Sequence, residues 1–127
     1  MRLGNKKIAG KSVLVLNRFD RIGEKRIPFI SAMTILGAKE QEQHSYIEIA
    51  HAIVNNGSHP EKDLKELWRR MVFNISISNI DDHLRNHGFL LNEKKCWALS
   101  PAYDMNPVSR QIKPNFHVLS IDKKGGV

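Results

Sequence analysis

Several features that are common in secreted, membrane and highly basic proteins are scarce or missing in this sequence. Cys96 is the only cysteine, which excludes an intrachain disulfide and fits a reducing compartment. The apolar run behind the basic amino terminus spans only Val13 to Leu16, which is too short for a signal peptide or a membrane helix. We therefore expect a cytoplasmic protein that does not enter the membrane.

Basic residues are in excess, yet they are spread along the chain. Twenty Lys and Arg face thirteen Asp and Glu, which gives a formal net charge of +7. Such an excess favours anionic partners such as nucleotides, nucleic acid or acidic protein surfaces, and it is equally typical of a solvated basic surface without a dedicated partner. There is no block of about five or more basic residues and no known nucleic-acid-binding motif, so the sequence argues against direct binding of DNA or RNA.

The length and composition are those of one globular domain. The 127 residues are 41% hydrophobic and 26% charged, which argues against wholesale disorder. We expect one domain over residues 1–127, since domains of about 100–150 residues are the most common. A chain of this size leaves little room for an enzyme in which two lobes close on a substrate.

The hydrophobic pattern predicts a mainly helical α+β fold. Residues 12–19 are rich in apolar and β-branched residues and predict a buried strand, which a polar turn at 20–25 follows. A short apolar helix is expected over 29–36, because Gly37 can end it. Apolar residues then recur at helical spacing over 46–54, and the Asn-Asn-Gly that follows predicts the end of a second helix.

A third helix has the clearest pattern. Ser58 and Glu61 fit a capping box, and Pro60 suits the first turn. An apolar stripe follows at helical spacing and is expected to face the core. Its members are Leu64, Leu67, Trp68, Met71, Val72 and Ile75.

The polar stretch after the third helix carries the chemically informative residues. It leads into two short strands, 89–91 and 96–99, which predict a hairpin that brings its two ends side by side. Asp104 follows this hairpin, so we expect it close to Asp81 and Asn86. Carboxylate and amide oxygens suit Mg²⁺, which favours one or two carboxylates together with phosphate oxygens and water.

The spacing of these residues is also that of a phosphoryl-transfer site. Asp81 precedes Asn86 as in the D-x-x-x-x-N pattern of kinases, in which the Asp accepts a hydroxyl proton and the Asn holds a metal ion. In that pattern a second metal-binding Asp follows a hairpin, and Asp104 takes its place. Two other interpretations remain open: Asp81 and Asp82 as ordinary loop acids, and the two histidines of this stretch as part of a zinc site.

Two longer runs resemble the C-terminal domain of HipA-type serine/threonine kinases, namely LWRRMVFNISISNIDDHLRNHGFLL and WALSPAYDMNPV. These kinases are the toxin halves of bacterial toxin–antitoxin pairs. The upstream run LVLNRFDR is similar to the hinge of that family, so we expect a hinge-like segment at about 13–21. The similarity extends from about Val13 to about Ile121, and it implies a helical protein-kinase-like C-lobe in which a small β-hairpin carries the metal site.

The resemblance implies a role for each matching position. Asp81 matches the general base, and Asn86 and Asp104 match the ligands of Mg²⁺. Asp82 is expected to be structural and to hold the loop backbone. The implied cofactors are ATP and Mg²⁺. Residues implied to border the nucleotide are Asn17, Arg18 and Phe19 of the hinge, where backbone groups meet adenine, the stretch His83, Leu84 and Arg85 beside the phosphates, and also Asn86, Tyr103 and Asp104.

The match to the family's kinase pattern is incomplete. The triplet Asn79-Ile80-Asp81 stands where kinases commonly have His-Arg-Asp, and Asp104-Met105-Asn106 stands where they have Asp-Phe-Gly. No Gly-rich phosphate loop and no phosphate-pairing lysine can be placed ahead of the hinge-like segment. We therefore expect a kinase C-lobe without its N-lobe, which would be inactive as an isolated chain.

Two functions from different classes fit this expectation. In the first, the chain is completed by an N-lobe and transfers the γ-phosphate of ATP to a serine or threonine of a protein substrate. In the second, it is catalytically inactive and serves as a binding module for a HipB-like DNA-binding antitoxin or for a separate N-lobe chain. Affinity for Mg-ATP distinguishes the two, because only the first requires it.

Overall fold

The computed structural model describes residues 3–108 and 117–122, which contain three α-helices, one 3₁₀ turn and nine short strands. About 32% of these residues are helical and 27% lie in strands. The prediction of a mainly helical fold is therefore wrong, since strands in several small sheets nearly match the helices. Several of the pairings join only two or three residues, which is too short to leave a periodic signal in the sequence.

The amino-terminal strands form an exposed hairpin. Strand β1 (Leu3–Ile8) pairs antiparallel with β2 (Lys11–Leu16) through a tight turn at Ala9 and Gly10, both of which have positive φ. The predicted strand is present, but it ends at Leu16 and is not buried, since Leu14 is 64% exposed. These two strands pair with no third strand among residues 3–108 and 117–122, which explains why their apolar side chains stay in solvent.

Strands also replace part of a predicted turn and part of a predicted helix. Strands β3 (Arg21–Ile22) and β4 (Lys25–Arg26) form a small hairpin in the segment predicted as a turn. Strand β5 (Phe29–Ser31) and helix α1 (Ala32–Ile35) then divide the segment predicted as one helix. The helix starts after Ser31, because the Ser31 Oγ accepts a hydrogen bond from the Thr34 N–H at 3.2 Å.

The second helix is confirmed. Strand β6 (His44–Ser45) leads directly into α2 (Tyr46–Asn56), which ends at Gly57 as the sequence predicts. At its first turn the Ser45 N–H donates to the Glu48 Oε2 at 2.8 Å, half of a capping box. The helix turns its buried residues Ile49 and Ile53 toward the core.

The third helix is confirmed, but its predicted cap is wrong and its predicted core face is only partly right. Helix α3 spans Pro60–Ser76, and its first turn lacks the Ser58 cap because that hydroxyl instead accepts a hydrogen bond from Asn92 Nδ2 at 2.8 Å. Leu64, Leu67 and Met71 of the predicted stripe pack against the core, whereas Trp68 is 61% exposed. The buried face includes polar residues with partners of their own, which apolar periodicity cannot reveal: Asp63, Arg70 and Asn74.

The sheet next to the candidate site has three antiparallel strands. Strands β7 (Gly88–Leu91) and β8 (Trp97–Leu99) form the predicted hairpin, and β5 pairs with the other edge of β7. Strand β9 (Leu119–Ser120) pairs in parallel with β6; it belongs to a short apolar segment, 116–121, whose first residue, Phe116, lies outside the described residues. The core comprises Ala32, Tyr46, Ile49, Ala52, Ile53, Leu67, Leu84, Phe89 and Leu119. None of the helices within 3–108 and 117–122 is long and apolar enough to cross a bilayer.

Candidate functional site

The polar loop that follows α3 is fixed at its start. The Asn79 N–H donates to the Asn74 carbonyl oxygen at 2.8 Å, and the Asn79 Nδ2 donates to the Asn74 Oδ1 at 3.0 Å. Both side chains are buried. The loop therefore leaves the helix in one defined direction, although Ser78 must adopt a positive φ of 56° to make the turn.

Asp81 and Asn86 lie at opposite ends of a short bend of this loop and are joined by a hydrogen bond. The Asn86 Nδ2 donates to the Asp81 carbonyl oxygen at 3.2 Å, and the Asn86 N–H closes a 3₁₀ turn (Leu84–Asn86) on the His83 carbonyl oxygen at 2.8 Å. The Asp81 side chain is exposed, whereas Asn86 is buried. No described residue donates a hydrogen bond to the Asn86 Oδ1, so this oxygen is available to a ligand.

Asp82 is buried at the centre of a hydrogen-bond network. Its carboxylate accepts hydrogen bonds from the Tyr46 hydroxyl, from the Asn74 Nδ2 at 2.8 Å and from the His87 Nε2 at 3.0 Å. Burial alone would raise the pKa of Asp82, but these donors, His87 first, outweigh it and hold the pKa below its usual value. Asp82 is structural as expected, yet it holds side chains from α2 and α3 rather than the loop backbone.

His87 is a partner of Asp82 that the sequence did not predict. Its Nε2 faces Asp82, its ring meets the Tyr46 ring edge-on at 5.7 Å, and its Nδ1 is buried without a partner among the described residues. The only signal in the sequence was the spacing of Asp82 and His87, which matches that of Asp81 and Asn86. No group of three His, Cys, Asp or Glu side chains in the described part of the chain can hold a metal ion.

Tyr103 connects the end of the hairpin to the loop. Its hydroxyl donates to the Arg85 carbonyl oxygen at 2.5 Å, which confirms that the hairpin returns the chain beside its starting point. Burial raises the pKa of Tyr103 to about 12; the positive charge of Arg70 lowers it, and the carboxylates of Asp104 and Asp82 add to the rise. The expected approach of Asp104 to Asp81 and Asn86 remains a prediction.

Asp104 has an unusual backbone conformation for its residue type. Its φ is +55°, a region that residues other than glycine occupy mainly at turns and functional sites. The side chain is exposed, and its Oδ1 accepts a hydrogen bond from the Asn106 Nδ2 at 2.8 Å. The backbone turn and this bond together restrict the directions that the carboxylate can take.

An apolar cavity of about 350 Å³ lies beside Tyr103, between the hinge-like segment and the sheet. Three aromatic rings, Phe19, Phe29 and Tyr103, line it with centroids 5.8 to 6.2 Å apart. Gly88 makes this packing possible, since a Cβ there would lie 2.2 Å from the Phe29 ring. The complete lining is Leu16, Asn17, Arg18, Phe19, Asp20, Phe29, Ala102 and Tyr103. The sequence did not indicate Phe29 as a lining residue of this cavity, because segment 29–36 was predicted to be a helix.

The remaining residues implied by the resemblance differ in how they can reach a ligand. Arg18 forms an exposed ion pair with Asp20, with its Nη2 2.6 Å from the carboxylate, so its backbone is the part free to meet a base. Leu84 is in the core, so only its backbone can contact a nucleotide. Arg85 is exposed and forms an ion pair with Glu40 of the loop after α1.

Arg70 holds the chain where it leaves the hairpin. Its Nη2 donates to the carbonyl oxygen of buried Ser100 at 2.6 Å, and its Nε donates to Glu66 at 3.0 Å. Two turns earlier on α3, the Asp63 Oδ2 accepts from the Leu99 N–H at 2.9 Å. Helix α3 therefore fixes both the polar loop and the segment that leads to Tyr103 and Asp104.

Comparison with known proteins defines the family. The model of the HipA-like C-terminal domain matches residues 2–126, so the chain belongs to this family. It is 30% identical over 105 residues, 75% of its length, to a Haemophilus influenzae protein named "Putative kinase". It is also 30% identical over 95 residues, 72% of its length, to "Putative kinase Y4dM" of Sinorhizobium fredii. The chain spans only 31% and 23% of these two relatives.

Proposed function

We propose that this chain forms the nucleotide- and metal-binding lobe of a HipA-type protein serine/threonine kinase. Together with an amino-terminal lobe it would transfer the γ-phosphate of ATP to a protein hydroxyl. One observation carries the proposal: Tyr103 lines the apolar cavity and also donates to Arg85, inside the loop that runs from Asp81 to Asn86. A cavity suited to a flat base therefore adjoins oxygen atoms suited to a metal ion and phosphates.

The cavity has the character of a nucleobase site. Its volume of about 350 Å³ lies within the range of roughly 300–1,000 Å³ that is usual for small-molecule sites. Aromatic rings from three separate segments offer apolar and edge contacts to a planar ring. The backbone of Asn17, Arg18 and Phe19 would provide the hydrogen bonds that select adenine.

The oxygen atoms on the other side of Tyr103 suit Mg²⁺. Asn86 offers a free amide oxygen and Asp104 an exposed carboxylate, and Mg²⁺ accepts such a small protein ligand set because it retains water and phosphate oxygens. Bound there, Mg²⁺ would neutralise charge on the phosphates of ATP. Arg85 would contribute a further positive charge once it separates from Glu40.

Asp81 is suited to act on the acceptor hydroxyl. Its side chain is exposed, so a protein serine or threonine can reach it, while its carbonyl is held by Asn86. In this position the carboxylate would orient the hydroxyl and accept its proton as the phosphoryl group is transferred. The substrate is therefore a protein side chain at the molecular surface.

The test is phosphoryl transfer by the chain joined to an amino-terminal lobe of its family. Replacing Asp81 with Asn should abolish transfer of labelled phosphate to protein, with Mg-ATP affinity within about twofold of the unaltered protein, because only the base is removed. The matched control is Asp122→Asn, outside the polar loop and the cavity, which should retain activity. Full activity of the Asp81 variant would show that the role of Asp81 is wrong.

The second candidate function, a catalytically inactive binding module, is favoured by the exposed β1–β2 hairpin. Its register places Ile8 and Val15 on one face and Leu14 and Leu16 on the other, and all four are exposed. A second lobe or a HipB-like antitoxin could cover these apolar side chains. This function requires no nucleotide, so titration with Mg-ATP separates it from the kinase.

A further inference from the structure

Two hydrogen-bonded pairs span the polar loop in adjacent positions. Asp81 and Asn86, the proposed base and metal ligand, are joined through the Asp81 carbonyl and the Asn86 Nδ2 at 3.2 Å. Their immediate neighbours, Asp82 and His87, are joined through carboxylate and Nε2 at 3.0 Å. In the first pair Asp81 is exposed and Asn86 is 8% exposed, whereas both members of the second pair are more deeply buried, with exposures of 4% and 2%.

The inner pair has a single defined geometry. A carboxylate can only accept hydrogen bonds, so the His87 Nε2 must carry the hydrogen. The Asp82 carboxylate also accepts from Tyr46 on α2 and Asn74 on α3, which leaves little freedom for rotation. Asp82, which is next to Asp81, therefore attaches the loop to α2 and α3. His87, which is next to Asn86, is attached to the same two helices through Asp82.

The outer pair determines which end of the Asn86 amide faces a ligand. Because its Nδ2 is bound to the Asp81 carbonyl, the Oδ1 is the atom left free. A metal ion needs the oxygen, and a rotated amide would present the nitrogen instead. The function of Asn86 therefore depends on the distance between the two ends of the loop.

We infer that Asp82 and His87 are positioning residues that set this distance, so that Asn86 presents its oxygen to Mg²⁺ and Asp81 faces the acceptor hydroxyl. The inference rests on the proposed kinase function. A buried pair that includes a charged group is weak evidence for a role in stability, since well-packed apolar residues often replace such pairs without loss. Residues that orient a metal ligand, by contrast, commonly change metal affinity by about ten- to a hundredfold when they are altered.

The test compares Asp82→Asn with Ser120→Ala in the same chain. Ser120 is another buried polar residue, but its hydroxyl donates to the backbone carbonyls of His44 and Asp122, outside the polar loop and the cavity. By titration calorimetry, Asp82→Asn should weaken Mg-ATP binding by about ten- to a hundredfold, whereas Ser120→Ala should leave it unchanged. His87→Gln, which keeps a side-chain N–H donor, should bind more tightly than His87→Leu.

A double-mutant cycle identifies the route of the effect. If Asp82 acts through Asn86, Asp82→Asn should cause little further loss of Mg-ATP affinity in a chain that already carries Asn86→Ala. Equal losses in both backgrounds would instead indicate a general structural effect and overturn the inference.

A second measurement separates this inference from the proposed function. Exchange of the Asn86 side-chain amide hydrogens, followed by NMR, should be faster in Asp82→Asn than in Ser120→Ala, with or without nucleotide. Unchanged exchange would overturn the positioning role. Faster exchange in a chain that has no affinity for Mg-ATP would support positioning of Asn86 and reject the kinase function.

Discussion

The Tyr103 hydroxyl donates a hydrogen bond to the Arg85 carbonyl oxygen at 2.5 Å, across the whole β7–β8 hairpin. Through this bond one side chain belongs both to the aromatic cavity and to the polar loop. Tyr103 therefore connects the nucleobase end of the proposed site to its phosphate end. Changes at Tyr103 should affect both ends, but not equally.

Removing only the Tyr103 hydroxyl tests this connection. Tyr103→Phe keeps the ring in the cavity and loses one hydrogen bond, which is typically worth about 0.5–1.5 kcal/mol, or about two- to tenfold in Mg-ATP affinity. Tyr103→Ala also removes the ring and should weaken binding further. Titration calorimetry on both variants measures the difference, and equal affinities for Phe and Ala would show that the ring does not contact the base.

Replacing Arg70 should lower the free energy of unfolding much more than replacing its exposed neighbour Arg69. Arg70→Met leaves the Ser100 carbonyl oxygen buried without its donor, at a cost of about 1–3 kcal/mol. The adjacent exposed residue gives the control, since Arg69→Met should change the free energy of unfolding by less than about 0.5 kcal/mol. Urea unfolding of both variants checks this, and similar losses would contradict the described contact.

The orientation of α3 can be tested with two consecutive residues. Leu67→Ala should lower the free energy of unfolding by about 2–5 kcal/mol, because Leu67 is buried in the core. Trp68→Ala removes a larger side chain but should cost less than about 1 kcal/mol, because Trp68 lies mostly in solvent. If the Trp68 variant is the less stable of the two, Trp68 rather than Leu67 faces the core, which would contradict the described orientation of α3.

Acid should unfold the protein partly through Asp82. Its pKa is lower in the folded chain than in the unfolded chain, so its stabilisation is complete above the unfolded value of about 4. That stabilisation is lost as the pH falls through the lower, folded pKa. Asp82→Asn should be less stable at pH 7 but should lose less stability between pH 5 and pH 2.

Urea unfolding midpoints of Asp82→Asn and the unaltered chain, measured across that pH range, report the loss of stability in acid. The control is Asp20→Asn, whose carboxyl also has a lowered pKa but is paired only with exposed Arg18. This variant should keep nearly the whole acid dependence. An Asp82 variant with the complete acid dependence of the unaltered chain would show that its carboxylate contributes nothing.

The sequence predicted the features that depend on local pattern. Helices α2 and α3 and the β7–β8 hairpin were found because their apolar spacing and end signals lie within each segment. Segment 29–31 was wrongly included in a helix because it becomes a strand only by pairing with β7, far along the chain. The predicted core face of α3 was only partly right, because Arg70 and Asn74 are buried by partners outside the helix while Trp68 lies in solvent.

The residues of the candidate site also fall into two groups, those that a local pattern predicts and those that depend on tertiary contacts. Asp81, Asn86 and Asp104 could be selected from their spacing and the resemblance, since the chemistry requires those residue types in that order. The pairing of Asp82 with His87 and the contribution of Phe29 to the cavity are tertiary contacts. Apart from the spacing that Asp82 and His87 share with Asp81 and Asn86, neither contact leaves a local pattern, so the structure is needed to reveal them.

The most direct test of the central claim is calorimetric titration of this chain with ATP, with and without Mg²⁺. We expect micromolar binding that requires Mg²⁺ and falls at least about tenfold in Asn86→Ala and in Asp104→Ala, because each loses a metal ligand. Asp122→Asn is the control and should bind normally. Absence of binding, or binding that neither substitution changes, would contradict the nucleotide- and metal-binding site and favour a binding module instead.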